Sequence, residues 1–314
     1  MRVAILGASG FVGRNLMLNL NKNWEVFAFY NTAKDFPEWF KTHKINTCTI
    51  LVQQDLATYT CSENLNLVPK HFDLVISLIG DTRKLDSTLL PLQNFKSDPL
   101  ALIGFFKYHT CSKLIHFSSG CIYEGNAGIV SAANTINIHP FTPYAIAKRT
   151  SELLLEYFRL NGEVEEYLNV RFFGAYGPYQ RADKISTKLI KNFYFDKKQT
   201  ITLIGNGQNL IDAMYVQDTI DWILMVSNHE FKNQTVDFGY CNPITIETLV
   251  QFVAEICGIE NLDITWDIEN APKENYFFRL ADTWFRPEIP YKYEFKVNLD
   301  TGIKLLQQHL EKER

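Results

Sequence analysis

The chain lacks any apolar run long enough to cross a bilayer, which takes about 20 consecutive residues, so no membrane partner is expected. It also lacks a basic stripe. Its 31 Lys and Arg are scattered among 35 Asp and Glu, giving a net charge of −4, and nucleic acid is not an expected partner. Cysteine is sparse: Cys48, Cys61, Cys111, Cys121, Cys241 and Cys257 stand far apart with no CxxC. The opening MRVAILGASG has neither the longer apolar stretch nor the small-residue cleavage site of a signal peptide. The expected location is therefore the cytoplasm, with thiols free rather than paired. The seven histidines form no HxxxH or HExxH, so no metal site is expected. Internal repeats and low-complexity segments are absent as well.

What remains is a chain of 314 residues, 46% of them apolar, enough to bury a large core. Short apolar runs alternate with helix-length stretches through the first half. Strands are predicted at 3–6, 24–30, 49–52, 73–78, 113–118 and 167–172, and helices at 13–21, 92–109 and 143–160. Strands apolar on both faces with helices between them predict an α/β fold with a doubly wound parallel sheet, the Rossmann arrangement. Residues 1–174 are expected to form this dinucleotide-binding domain. Residues 175–314 are expected to form a smaller substrate-binding region, with 201–203 and 236–238 returning to the main sheet. Aromatics crowd its stretch 275–295.

The first strand runs into Gly7, Ala8, Ser9, Gly10, Phe11, Val12 and Gly13, a GxxGxxG turn that opens a helix. Glycines there allow a tight turn, close approach of a pyrophosphate and close helix–strand packing, while the helix N-terminus offers free amides to the anion. An acid at the tip of the second strand would grip the ribose 2′-hydroxyl of NAD. This tip reads Phe29, Tyr30, Asn31, Thr32, Ala33, Lys34, without a carboxylate. Asn31, Thr32 and Lys34, with Arg14 just past the third glycine, suit a 2′-phosphate and favour NADP(H), with NAD(H) as the alternative. Asp55 and Leu56 after the third strand, and Ile79 and Gly80 after the fourth, complete the expected cofactor set. Asp55 can equally serve as a loop cap.

Tyr144 and Lys148 stand at i, i+4 at the start of a predicted helix, with Pro143 at its first position and Thr142 as cap. A neighbouring ammonium favours a phenolate and lowers a tyrosine pKa that is ordinarily near ~10. Tyr144 could then exchange a proton with a carbonyl or alcohol, and Lys148 could also hold the nicotinamide ribose. Ser118 and Ser119 end the fifth strand at the carboxyl edge of the sheet, where Ser119 can bond the reacting oxygen.

GASGFVG at 7–13, SSGCIY at 118–123, PYAIAK at 143–148, RFFGAYGP at 171–178 and GNGQNLIDAMYVQD at 205–218 together resemble the extended short-chain dehydrogenase/reductases. This is the family of nucleotide-sugar epimerases, dehydratases and reductases. The resemblance implies that Ser119, Tyr144 and Lys148 are catalytic, that Gly7, Gly10 and Gly13 form the cofactor turn, and that the chain is a homodimer joined through the helix carrying YxxxK and the long helix before it. SSGCIY and PYAIAK are similar to GDP-fucose synthase, in which a cysteine at the place of Cys121 is an acid/base for epimerisation. Cys121 takes that role by resemblance, or is a small packed thiol. Gly120 replaces a second serine, and 180–189 holds no histidine to partner the cysteine, with Lys184 the nearest substitute. Sugar 4,6-dehydratases carry an Asp-Glu pair where this chain has Gly120 and Cys121, so that reaction is not expected. Gly174 and Ile211 stand where the family has Asn and Arg toward the nucleotide, with Arg279 and Lys184 as substitute cations.

The reading that follows is an NADP(H)-dependent reductase of a nucleotide-activated 4-keto-6-deoxy sugar. An NAD-dependent C4 epimerase is the alternative, and a non-catalytic cofactor-sensing protein the third.

Overall fold

Side chains on a strand point alternately to its two faces, and both faces are covered here. In β1 (Arg2–Leu6), Val3 and Ile5 enter one core cluster and Ala4 and Leu6 the other, all fully buried. That is why the run carries no polar alternation. The computed structural model describes residues 1–45, 48–58, 67–81, 90–124, 138–270 and 293–314. After β1 come β2 (Glu25–Tyr30), β3 (Thr49–Gln53), β4 (His71–Ser77), β5 (Thr110–Ser119), β6 (Val164–Phe172), β7 (Thr200–Ile204), β8 (Leu210–Ile211), β9 (Gln234–Phe238), β10 (Ile244–Thr245) and β11 (Asp263–Asp267). Seven of them form one parallel sheet in the order β3-β2-β1-β4-β5-β6-β9. This is the expected Rossmann-like fold. Strand order reverses across the sheet between β1 and β4, leaving a crevice at their carboxyl ends.

Helices α1 (Phe11–Leu18) and α2 (Phe36–Thr42) flank the first strands; α2 was not anticipated from the sequence. The expected helix 92–109 is two helices, α3 (Pro91–Ser97) and α4 (Pro99–Phe106), broken at Asp98. Pro99 has no amide to continue the ladder and drives the residue before it out of helical backbone. Ala101, Leu102, Phe105 and Phe106 of α4 cover one face of the sheet with Leu155 and Phe158 of α5 (Pro143–Leu160). The other face is covered by Leu16 and Met17 of α1 and by Ile220, Trp222, Ile223 and Val226.

Past the sixth strand come α6 (Ile185–Ile190), α7 (Val216–Val226), α8 (Ile246–Ile256) and α9 (Leu299–Lys312). Residues 236–238 lie in β9 of the main sheet, but 201–203 do not return to it. They belong to β7, which pairs in parallel with β11 as a separate two-stranded sheet. Ile201 and Leu203 are buried there against α6 and α8 through Leu189, Ile190, Leu249 and Val253. Among the described residues, no helix is long and apolar enough to cross a membrane.

Candidate active site

The glycine turn is built as the spacing requires. Gly7 has φ +86°, and its amide and that of Ala8 donate to Phe29 O at 3.1 and 3.0 Å, tying the turn to β2. A Cβ on Gly13 would lie 2.4 Å from Gly7 O and 2.6 Å from Ala8 O, closer than any side chain tolerates. Gly10 caps α1 without a side chain, and the first helical bond is Arg14 N to Gly10 O at 2.8 Å. The amides of Phe11, Val12 and Gly13 therefore have no partner within the helix and can meet an anion. A cradle that a Cβ would fill, at an uncapped helix N-terminus, fits a dinucleotide pyrophosphate.

The tip of β2 differs from expectation. Asn31 and Lys34 are exposed there, and Asp35, at the N-cap of the helix that follows, brings a carboxylate to Arg14. Arg14 Nη2 bonds Asp35 Oδ2 at 2.5 Å, Arg14 Nε donates to Ser9 O at 3.0 Å, and the guanidinium lies 4.9 Å from the Trp39 ring centroid. The bond from Arg14 holds the Asp35 carboxyl below its usual range. The Arg14 side chain is only 12% exposed and Asp35 70%, so the cation is the fixed member of the pair. Asp55 acts as a loop cap, accepting from Ala57 N at 3.1 Å, and Leu56 is buried beneath it.

At the carboxyl end of β5, Ser119 Oγ accepts from Cys121 N at 3.2 Å and caps the single turn Gly120–Tyr123. The Phe173 ring explains Gly120, since a Cβ there would sit 3.0 Å from it. Thr142 caps α5 as expected, its Oγ1 accepting from Ala145 N at 3.3 Å while donating to Glu124. This places Tyr144, Lys148 and Ser119 together, each less than a tenth exposed. Ser119 and Cys121 both stand close enough to the Tyr144 phenol to act on it.

The expected lowering of the Tyr144 pKa is reversed in this state. Burial holds the phenol well above its ordinary range, nearby Cys121 adds to this, and Ser119 opposes it. Lys148 directs its ammonium elsewhere: it donates to Phe117 O at 2.7 Å and Ile79 O at 2.9 Å, and it is ion-paired with Asp98 Oδ2 at 2.7 Å. Ile79 and Gly80 thus meet the lysine directly. Gly80 has φ +142°, and a Cβ on it would lie 3.0 Å from Lys148 Nζ.

Behind the site lies a buried charge network that sequence reasoning missed. Arg171 bonds Glu152 through Nε at 3.0 Å and Nη2 at 2.9 Å, Ser118 Oγ donates to Glu152 at 2.7 Å, and Arg149 adds 2.7 Å. Burial alone would raise the Glu152 carboxyl, but these partners outweigh it and bring it to about 2. Tyr123 receives Arg171 Nη1 at 2.8 Å and donates to Asp237 at 2.7 Å. The signals were legible in part: Glu152 is four residues beyond Lys148, on the same helix face, and Asp98 precedes a proline.

Of the proposed substrate residues, Lys184 stands at the N-cap of α6, and Arg279 lies outside the described residues. Gly174 has φ +103°, in the left-handed region. Ile211 is half-buried in β8, paired with Ile244 and packed on the core shared by α6 and α8.

A profile of the NAD dependent epimerase/dehydratase family matches residues 3–239. The chain belongs to that family. Relatives include the GDP-L-colitose synthase of Yersinia pseudotuberculosis, 22% identical and spanning 100% of this chain and 99% of its own length. The CDP-abequose synthase of the same organism is 24% identical over 82% of this chain and 84% of its own. The UDP-glucuronic acid 4-epimerase of Bacillus cereus, solved with UDP-glucuronic acid and NAD, superposes with a TM-score of 0.84 at 20% identity, covering 100% of both chains. Members of this extended short-chain dehydrogenase/reductase family are NAD-dependent nucleotide-sugar epimerases, dehydratases and reductases.

Proposed function

We propose that this family member is an NADP(H)-dependent reductase of a nucleotide-activated 4-keto-6-deoxy sugar. The observation that carries the reading is the meeting of Ser119, Cys121, Tyr144 and Lys148 at the carboxyl edge of β5. When bound, the nicotinamide cofactor supplies the hydride that reduces the C4 carbonyl. Tyr144 gives its phenolic proton to the keto oxygen, and Ser119 bonds the same oxygen and orients it. Lys148 holds its place beneath Tyr144 and meets the cofactor ribose. Cys121, next to Tyr144, lines the sugar side. The Gly7–Gly13 turn takes the pyrophosphate, and Arg14 on Trp39 offers a fixed guanidinium to a 2′-phosphate, displacing the exposed Asp35. Residues 175–314 supply most of the sugar-nucleotide contacts, Lys184 among them.

Asp35 also favours a second reading. If its carboxylate stays at the β2 tip it reads the NAD ribose, and the chain is a C4 epimerase that keeps its cofactor through the cycle. Kd values for NADPH and NADH, from tryptophan quenching of purified protein, separate the two. Tighter NADPH binding, with NADPH consumed on adding 4-keto-6-deoxy nucleotide sugars and consumption lost in Tyr144→Phe, is the expected outcome. Tighter NADH binding, or NAD that copurifies and does not exchange, assigns the epimerase. No consumption with any 4-keto nucleotide sugar ends the reductase reading.

The proposed assembly is a homodimer. Ile146, Leu153, Tyr157 and Leu160 form one exposed apolar stripe on α5, with Leu100 and Ile103 exposed on α4. A second copy of the same face would bury it.

A further inference from the structure

Asp98 stands at the break between α3 and α4, as the N-cap of α4. An aspartate in that position ordinarily accepts the amides of the first turn. Asp98 makes no capping bond with its side chain. Its carboxylate, 1% exposed, turns inward: Oδ2 lies 2.7 Å from Lys148 Nζ, and Oδ1 accepts from Ser151 Oγ at 2.6 Å. Lys148 and Ser151 are one helical turn apart on the buried face of α5, so one carboxylate grips two points of the catalytic helix.

We propose that Asp98 is a positioning residue for the Tyr144–Lys148 pair, fixing the ammonium in the floor of the site and setting its own negative charge against the phenol. This rests on the reading of that pair as the reacting one. A lone buried ammonium beside a phenol favours the phenolate. A carboxylate against that ammonium leaves the pair with little net charge, and Tyr144 keeps its proton, the form that can protonate a keto oxygen. Among the described residues, the groups that act on the phenol after burial itself are Cys121 from the turn behind β5, Ser119, Asp98, and Asp81 past β4. His116 on β5 faces Asp98, Lys148 and Glu152, and burial holds it neutral near pH 7.

Asp98→Asn keeps the shape and removes the charge. Tyrosine ζ-carbons are labelled with carbon-13, Tyr144 is assigned through Tyr144→Phe, and pH is titrated in protein saturated with NADPH or NADH, whichever binds more tightly, without sugar. The Tyr144 midpoint is expected to fall in Asp98→Asn by about one pH unit or more, a tenfold gain in acid strength. An unmoved or higher midpoint, or no titration in either protein, overturns the proposal, since lost packing alone would lower stability without that shift. Should Asp98→Asn fail to fold, wild-type protein labelled with nitrogen-15 lysine decides. The Lys148 ammonium, assigned through Lys148→Met, is expected to exchange with water about tenfold more slowly than surface lysines with cofactor bound. Exchange at the surface rate overturns the proposal. Neither readout needs a sugar. A shifted midpoint without keto-sugar reduction sinks the reductase reading alone; reduction with an unmoved midpoint sinks the role of Asp98 alone.

Discussion

His116 is fully buried on β5, with Nδ1 3.4 Å from Ser77 Oγ and Nε2 without a hydrogen-bond partner. Burial disfavours its charged form and brings its pKa down from 6.5 to about 4. Between those values the unfolded chain binds a proton that the folded chain refuses. Stability from this residue is therefore intact above pH 6.5 and declines as pH falls toward 4. The whole effect is on the order of 3 kcal/mol. Glu152 adds a second decline at lower pH, from the ordinary 4.5 toward about 2, as its carboxylate loses the bonds from Arg171, Ser118 and Arg149. Urea unfolding at a series of pH values should show the first decline in the wild type and a flatter slope in His116→Asn; equal slopes would remove His116 from the account. The sequence displayed the residues proposed to touch substrate and cofactor better than those that hold them. Tyr144, Lys148, Ser119 and the three glycines announce themselves by spacing. Asp98, Asp35 and Arg171 act through long-range contacts, and the distance along the chain from Lys148 to Asp98 hides their pairing.

At the scale of the element, α5 carries two jobs on two faces. Its buried face sets Tyr144, Lys148, Ser151 and Glu152 against the sheet, and Leu155 and Phe158 against its core. Its outer face presents Ile146 at 38%, Leu153 at 62%, Tyr157 at 57% and Leu160 at 70% exposure, an apolar row with no described element over it. Leu153→Glu with Leu160→Glu should halve the mass seen by sedimentation while leaving the far-ultraviolet circular dichroism unchanged. A monomeric wild type, or a double variant that stays dimeric, would place the interface elsewhere. The helix itself was legible: a proline at its first position, a threonine cap and a helical period to Leu160. The apolar period before it predicts one continuous helix, and Pro99 breaks that helix at Asp98. The break is what frees Asp98 to turn toward Lys148.

Across the whole molecule, the proposed substrate-binding region, residues 175–314, is tied to the cofactor turn as well as to the sheet. Asn15 of α1 donates to Pro178 O at 2.9 Å, Gln217 of α7 donates to Asn19 at 3.3 Å, and Tyr179 meets the Trp39 ring edge-on at 5.3 Å. Calorimetry should therefore show this region and the sheet unfolding in one transition. The bound cofactor should raise its Tm, with a stabilisation of about 2.7 kcal/mol at a hundredfold excess over Kd. Two separable transitions, only one of them moved by cofactor, would show the two to be independent. By itself the sequence determined the parallel sheet, the glycine turn and the Tyr–Lys–Ser set, because strand burial, backbone clearance and helical period are local and leave their mark in residue order. Only the tertiary structure decided that β7 leaves the main sheet for β11, that Arg14 is met by Asp35, and that Lys148 is held by Asp98. Strand partnership and charge pairing depend on which distant segments packing brings within a few ångströms, and no local pattern encodes that.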